Sequence, residues 1–133
     1  FLMLHPTQYA EILGQKLDEH EATAYLVNTG WCGGGYGVGN RISLPYTRAI
    51  IDAILNGELD NAKTETSATF GFQIPQAVAN VDTSILNPQN SWEDKAAYLE
   101  TAAKLSDMFK ENFKRFTDSD LGKSLESSGP QLS

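Results

Sequence analysis

The residues from Gly33 to Gly39 include five glycines, and Arg41 follows two positions later. The run opens at the end of an apolar stretch, Ala24 to Val27, and closes on Arg41-Ile42 ahead of a helix start. An apolar strand, a glycine turn, a charged residue and then a helix is the layout with which α/β proteins hold nucleotides at a sheet edge. Two phosphate-binding motifs can be tested against it. The dinucleotide fingerprint G-x-G-x-x-G fails. With Gly33 and Gly35 in its first two positions the third falls on Val38, and with Gly35 and Gly37 it falls on Asn40. A P-loop, G-x-x-x-x-G-K-[ST], fits Gly34 and Gly39, but Asn40 then stands in place of the lysine and Arg41 in place of the hydroxyl. Nothing is left to meet the β/γ-phosphates or Mg²⁺. The loop is no phosphate cradle, and composition alone favours a flexible surface loop. What remains is an arginine beside an apolar residue where a loop becomes a helix. Its planar guanidinium can stack on an aromatic base or bond a ribose, and the backbone beside it can read an adenine edge.

Other chemistry is sparse. His5 and His20 are the only histidines, and neither has the clustered partners that a base or ligand needs. No Cys/His/Asp cluster has metal-binding spacing, so no catalytic residue and no metal ligand is assigned. The single cysteine, Cys32, excludes an internal disulfide and suits a reducing, cytoplasmic compartment. A net charge of −7 repels phosphate backbones, and the ten Lys and Arg form no patch, so no nucleic-acid partner is expected. No apolar run approaches the ~20 residues of a membrane span. The opening Phe1-Leu2-Met3-Leu4 is too short for a signal peptide and follows no basic residue. The chain does not begin with Met, and it reads as though cut from something larger. At 133 residues it is one domain or a piece of one.

The elements that must position Arg41 follow from periodicity and punctuation. A helix is expected over Pro6 to Asp18, with Tyr9, Ile12, Leu13 and Leu17 on one face. Thr23 to Val27 reads as a short buried strand. Ser43 is placed to cap a helix that has Pro45 in its first turn and runs to about Asn56. Its apolar stripe is Thr47, Ile50, Ile51, Ile54 and Leu55, and Gly57 is placed to end it. Thr64 to Ile74 alternates with period two, as one half-buried strand stopped by Pro75. Gln76 to Asn90 is a long loop that should pack over another surface or carry a turn of its own. Ser91 and Asp94 form a capping-box-like pair before the strongest helix. That helix should bury Tyr98, Ala102, Leu105, Phe109, Phe113 and Phe116 as core. The tail from Thr117 to Ser133 is Ser/Asp-rich, with a weak helical stretch near Leu121 to Leu125 and a poorly ordered end. The fold class expected is mixed α/β, with short strands and about three main helices.

Three long runs carry a resemblance: Leu4-His5-Pro6-Thr7-Gln8-Tyr9-Ala10, Ala24-Tyr25-Leu26-Val27-Asn28-Thr29-Gly30-Trp31, and Arg41-Ile42-Ser43 followed by Thr47-Arg48-Ala49-Ile50-Ile51-Asp52-Ala53-Ile54-Leu55-Asn56-Gly57. With Leu59-Asp60-Asn61-Ala62, Ile74-Pro75 and Thr117-Asp118, the chain resembles ATP-dependent phosphoenolpyruvate carboxykinase over essentially its whole length. The resemblance implies that residues 1–133 are the C-terminal portion of that enzyme's nucleotide-binding domain. The phosphate loop, the ligands of a divalent metal (Mg or Mn) and the arginines for oxaloacetate would lie upstream. It implies ATP as the nucleotide, with Arg41, Ile42 and Thr47 as adenosine-binding residues and Asn28-Thr29-Gly30-Trp31 shaping the loop behind them. The implied reaction converts oxaloacetate and ATP to phosphoenolpyruvate, carbon dioxide and ADP, a step of gluconeogenesis. Oxaloacetate or phosphoenolpyruvate and the upstream part of the enzyme are then the partners, in a monomer. Asn40 departs from the family, which often has lysine there; so do Lys63 and Gly71-Phe72-Gln73. The alternative is a stand-alone module, non-catalytic and nucleotide-binding or purely structural. A fragment should show uncovered sheet edges and unsupported loops at the glycine run and at Gln76 to Asn90.

Overall fold

The computed structural model describes residues 3–131. Phe1 and Leu2 of the opening run, and Leu132 and Ser133 of the tail, lie outside the described residues. The architecture is mixed α/β, as the sequence implies, and helix dominates. α1 spans Pro6–Glu19, β1 Trp31–Cys32, β2 Asn40–Arg41 and α2 Leu44–Leu55. β3 is Thr64–Thr66 and β4 Gln73–Pro75. The short α3, Pro88–Ser91, precedes the long α4, Lys95–Phe113, and α5 is Asp120–Leu125. β1 pairs antiparallel with β2, and β3 with β4, as two separate ribbons. Their outer edges are unpaired among the described residues, as a fragment should leave them.

α2 is the pillar. The Ser43 hydroxyl accepts from the Tyr46 N–H at 3.3 Å and caps the first turn. Pro45 sits where a backbone donor is not needed. Gly57, at φ +71°, ends the helix in the left-handed region. Of the expected stripe, Ile50 packs on the core and Thr47 and Ile54 are half-buried, but the face that α2 buries is turned toward Ala53. Ala53 is buried with Val78 and Val81, and Tyr46, Ala49 and Ile50 pack against them, while Leu55 and Ile51 are exposed. The choice is made by what arrives: residues 76–86 bend across the Tyr46–Ala53 side. That long loop is therefore packed, and it carries a single 3₁₀ turn at Thr83–Ile85, capped by Asp82.

Other expectations are corrected. Residues 23–27 form no strand, because none of the described strands lies alongside to pair with them. Tyr25 instead donates to Asp60 Oδ1 at 3.3 Å. Thr64 to Ile74 is a hairpin rather than one strand. Gly71 turns at φ +71°, and the Ser67 hydroxyl accepts from the Phe70 N–H, so Glu65 pairs with Ile74. Period-two alternation fits either arm of such a ribbon. Asp94 alone caps α4, accepting from the N–H groups of Ala96 and Ala97; Ser91 closes α3. On α4 only Ala102 and Ser106 are buried. Phe109 stays 52% exposed, touching Phe70 edge-on. In the tail the expected helical stretch near Leu121 to Leu125 is present as α5, and the Gln131 N–H donates to the Thr69 carbonyl at 2.9 Å.

Two checks follow from these contacts. Urea unfolding of Ser43→Ala should show a loss of about 1 kcal/mol for the missing cap. Ser106→Ala should gain about 1 kcal/mol, because the buried Ser106 hydroxyl has no hydrogen-bond partner among the described residues. Burial, then the charge and hydrogen bond of Asp60, raise the Tyr25 hydroxyl above its ordinary value; burial alone raises Tyr98. The contribution of each neutral phenol is complete below the unfolded value and is lost as pH climbs through the raised one. In an absorbance titration, Tyr25→Phe and Tyr98→Phe should each remove one late-titrating phenolate.

Candidate nucleotide site

The turn before β1 is built by Asn28, whose Oδ1 accepts from the Gly30 N–H at 2.9 Å while its Nδ2 donates to the Trp31 carbonyl at 3.0 Å. The chain then enters β1. Trp31 pairs with Arg41 and Cys32 with Asn40, and the Ile42 N–H donates to the Gly30 carbonyl at 2.8 Å. The glycine run is the connection between the two strands, and it is tighter than a flexible surface loop. A Cβ on Gly39 would stand 2.6 Å from the Gly34 carbonyl oxygen and 2.8 Å from that of Cys32. Gly33 turns at φ +80° and donates its N–H to the Ser91 hydroxyl at 3.2 Å. The glycines let two backbones touch and let the ribbon lie against α3. Here the structure departs from the unsupported loop expected of a fragment.

All three expected site residues fall at the strand-to-helix junction. Arg41 ends β2 with its side chain exposed, and its guanidinium has no hydrogen bond or ion pair among the described residues. Ile42 is buried at 8% exposure and pins the junction. Thr47 lies in the first turn of α2, where its hydroxyl donates to the Ser43 carbonyl at 3.2 Å. That proton is committed, so Thr47 can offer a ligand only oxygen lone pairs, which suits an amino group as partner. Arg48, also exposed, is a second cation within the first turn and a half of α2.

The junction is an open edge. One cleft of about 380 Å³ is lined by Glu65, Gln76, Ser84 and Asn87 among others, and a second lies at the C-terminal end of α4, between Met108 and Arg115 just beyond it. Neither includes Arg41, Ile42 or Thr47. Among the described residues, no group of three His, Cys, Asp or Glu side chains could hold a metal ion. No described helix is long and apolar enough to cross a membrane. His5 caps α1, contacts Asp118 at 3.7 Å and meets the Phe116 ring edge-on; His20 follows the end of α1. The sequence reading did not single out Ser91 as the residue that seats the glycine ribbon. It was legible only as a helix start, since its partner is 58 residues away.

A short strand that hands over to a capped helix, with an unpaired arginine at the hinge and no pocket closed around it, is the makeup of a mixed α/β fragment. Comparison with known proteins supplies the family. The family model described as phosphoenolpyruvate carboxykinase, the ATP-dependent type, matches residues 1–84. The phosphoenolpyruvate carboxykinase (ATP) of Campylobacter lari is 50% identical over 132 residues, covering 99% of this chain and 25% of that protein. Phosphoenolpyruvate carboxykinase (ATP) 2 of Urochloa panicoides is 55% identical over 122 residues, covering 92% and 20%. That of Lysinibacillus sphaericus is 53% identical over 118 residues, covering 89% and 22%. This chain belongs to the ATP-dependent phosphoenolpyruvate carboxykinase family, and it spans about a quarter of the length of the curated relatives it matches.

Gly39→Ala should cost about 1–3 kcal/mol, the range for overpacking, because both crowding atoms are backbone. Hydrogen exchange is the readout: the Gly39 and Ile42 amides, which donate to Gly35 and Gly30, should lose protection while those of α4 keep theirs.

Proposed function

We propose that this chain is the segment of an ATP-dependent phosphoenolpyruvate carboxykinase that walls the adenosine of ATP. The parent reaction takes oxaloacetate and ATP to phosphoenolpyruvate, carbon dioxide and ADP, in the cytoplasm, as a step of gluconeogenesis. Loss of carbon dioxide leaves an enolate, whose oxygen takes the γ-phosphoryl group. Arg41 stacks on or bonds the adenosine, Ile42 gives backbone and apolar contact, and Thr47 accepts from the purine amino group. The observation that carries this reading is the unpartnered guanidinium of Arg41 at a junction fixed on both sides, by the Trp31 pairing and by the capped helix. Its family membership over nearly the whole chain supports the choice of nucleotide.

This segment supplies binding and orientation only. Among the described residues no group of three His, Cys, Asp or Glu side chains fits the divalent cation (Mg or Mn) of the parent, which residues outside this chain would hold. Oxaloacetate and the phosphates likewise meet the rest of the enzyme, a monomer that binds no nucleic acid. The stand-alone alternative, a non-catalytic nucleotide-binding or purely structural module, draws on the internal support of the two loops, through Ser91 and through Val78 and Val81. Calorimetry with ATP on this chain separates the two. Saturable binding that Arg41→Ala abolishes favours the module, and absence of binding by a folded chain favours the segment.

The direct test replaces the matched quarter of the Campylobacter lari relative with this chain. The chimaera should form phosphoenolpyruvate from oxaloacetate and ATP. Arg41→Ala in it should raise KM for ATP about tenfold, worth about 1.4 kcal/mol, with kcat nearly unchanged, since a contact made equally in ground and transition states acts on KM. A folded chimaera that binds no ATP, or whose ATP dependence ignores Arg41→Ala, would overturn the assignment.

A further inference from the structure

α1 carries Tyr9, Ile12, Leu13 and Leu17 at steps of three and four, with Glu11, Gln15 and Asp18 elsewhere around it. The stripe is what a helix buries, yet the described chain covers it only in part, with Leu17 half-buried and the other three exposed. Leu13 is 60% exposed, and Ile12 and Tyr9 are also open. A helix of 14 residues is marginal in water by itself, and Gly14 in its middle weakens it further. The same deficit shows in the whole molecule. The chain exposes 9942 Å², whereas a compact monomer of its mass exposes about 6,900 Å².

We propose that the Tyr9–Ile12–Leu13–Leu17 face of α1 is the docking surface for the part of the carboxykinase polypeptide that this chain lacks. The contact is apolar, and the inference rests on reading the chain as a carboxykinase segment. Three observations favour this occupant over a second copy. The excess of about 3,000 Å² is several times the ~800 Å² that each partner contributes to an ordinary interface between proteins. It is also spread over more than one element, with Leu105, Met108 and Phe109 of α4 open as well. A copy of this chain would moreover bring a second net charge of −7 against the first.

Carbene footprinting read by mass spectrometry tests the contact on this chain alone, on the chimaera described above, and on the uncut Campylobacter lari relative. Labelling of Pro6–Glu19, or of the segment that matches it, should fall about fivefold or more in the longer proteins, the drop from 60% exposure to an interior position. Leu13→Asp should leave the helical circular dichroism of the isolated chain unchanged and lower the Tm of the chimaera; Leu13→Met should restore it. Glu11→Lys, away from the stripe, should alter neither. Equal labelling in all three proteins overturns the proposal. So does protection in the isolated chain that rises with its concentration, because the occupant is then a second copy. If the chimaera does not fold, the uncut relative decides. A chimaera that is protected at α1 but forms no phosphoenolpyruvate would sink the functional assignment and leave this contact standing.

Discussion

The packing of Val78 and Val81 on the Tyr46–Ala53 side of α2 is the contact on which the rest of the chain hangs. Ala53 is small, so the bend at residues 78–81 can approach the helix closely. That approach fixes α2, and α2 fixes both of its ends. At its N-terminus the Ser43 cap holds Ile42 and Arg41 in an extended path that pairs with Trp31. At its C-terminus Gly57 reverses the chain and brings Leu59 back onto the same cluster. The far end of the bend leads through Asn87 to α3, where Ser91 receives the glycine ribbon. The junction is thus held from two directions by one small core.

What was legible in the sequence was what a few adjacent residues decide. Pro6, Ser43 with Pro45, and Gly57 place helix ends through the backbone donors and dihedral angles they supply, and all of these ends stand. What was not legible depended on partners elsewhere. The alternation of Thr64 to Ile74 is the same in one long strand and in a hairpin, and the turn at Gly71 decides between them. The apolar run at residues 23–27 suits a buried strand only where a neighbouring strand exists. The stripes of α1 and α4 were read correctly as apolar faces, but an apolar face tells nothing of whether its cover belongs to the same chain.

The site was legible in a different way. No spacing rule pointed to Arg41, Ile42 and Thr47 as a set, and the two phosphate motifs failed on Asn40 and Val38. Long runs of adjacent residues shared with a family indicated them. The structure then places all three at one junction, and it gives the glycine run a different task from the one its composition suggests. Its glycines allow Gly39 to lie against Gly34 and Cys32, so that β1 and β2 pair within a very short ribbon.

If the proposed function holds, charge explains how such a segment serves a nucleotide without a cradle. Adenosine is neutral, and the phosphates carry the negative charge of ATP. A surface of net charge −7 would repel the phosphate end, and the junction offers only Arg41 and Arg48 against it, with a neutral side chain at Asn40. On the proposed reading, a wall for the adenine and ribose needs an apolar contact, a planar cation and an acceptor, the parts assigned to Ile42, Arg41 and Thr47. On the proposed reading the labour is divided by charge. The acidic segment takes the neutral end of the ligand, and the cations that neutralise the phosphates are left to the remainder of the enzyme. The same division accounts for the shallow, open edge seen here, since a wall that meets one face of a base has no need to enclose it.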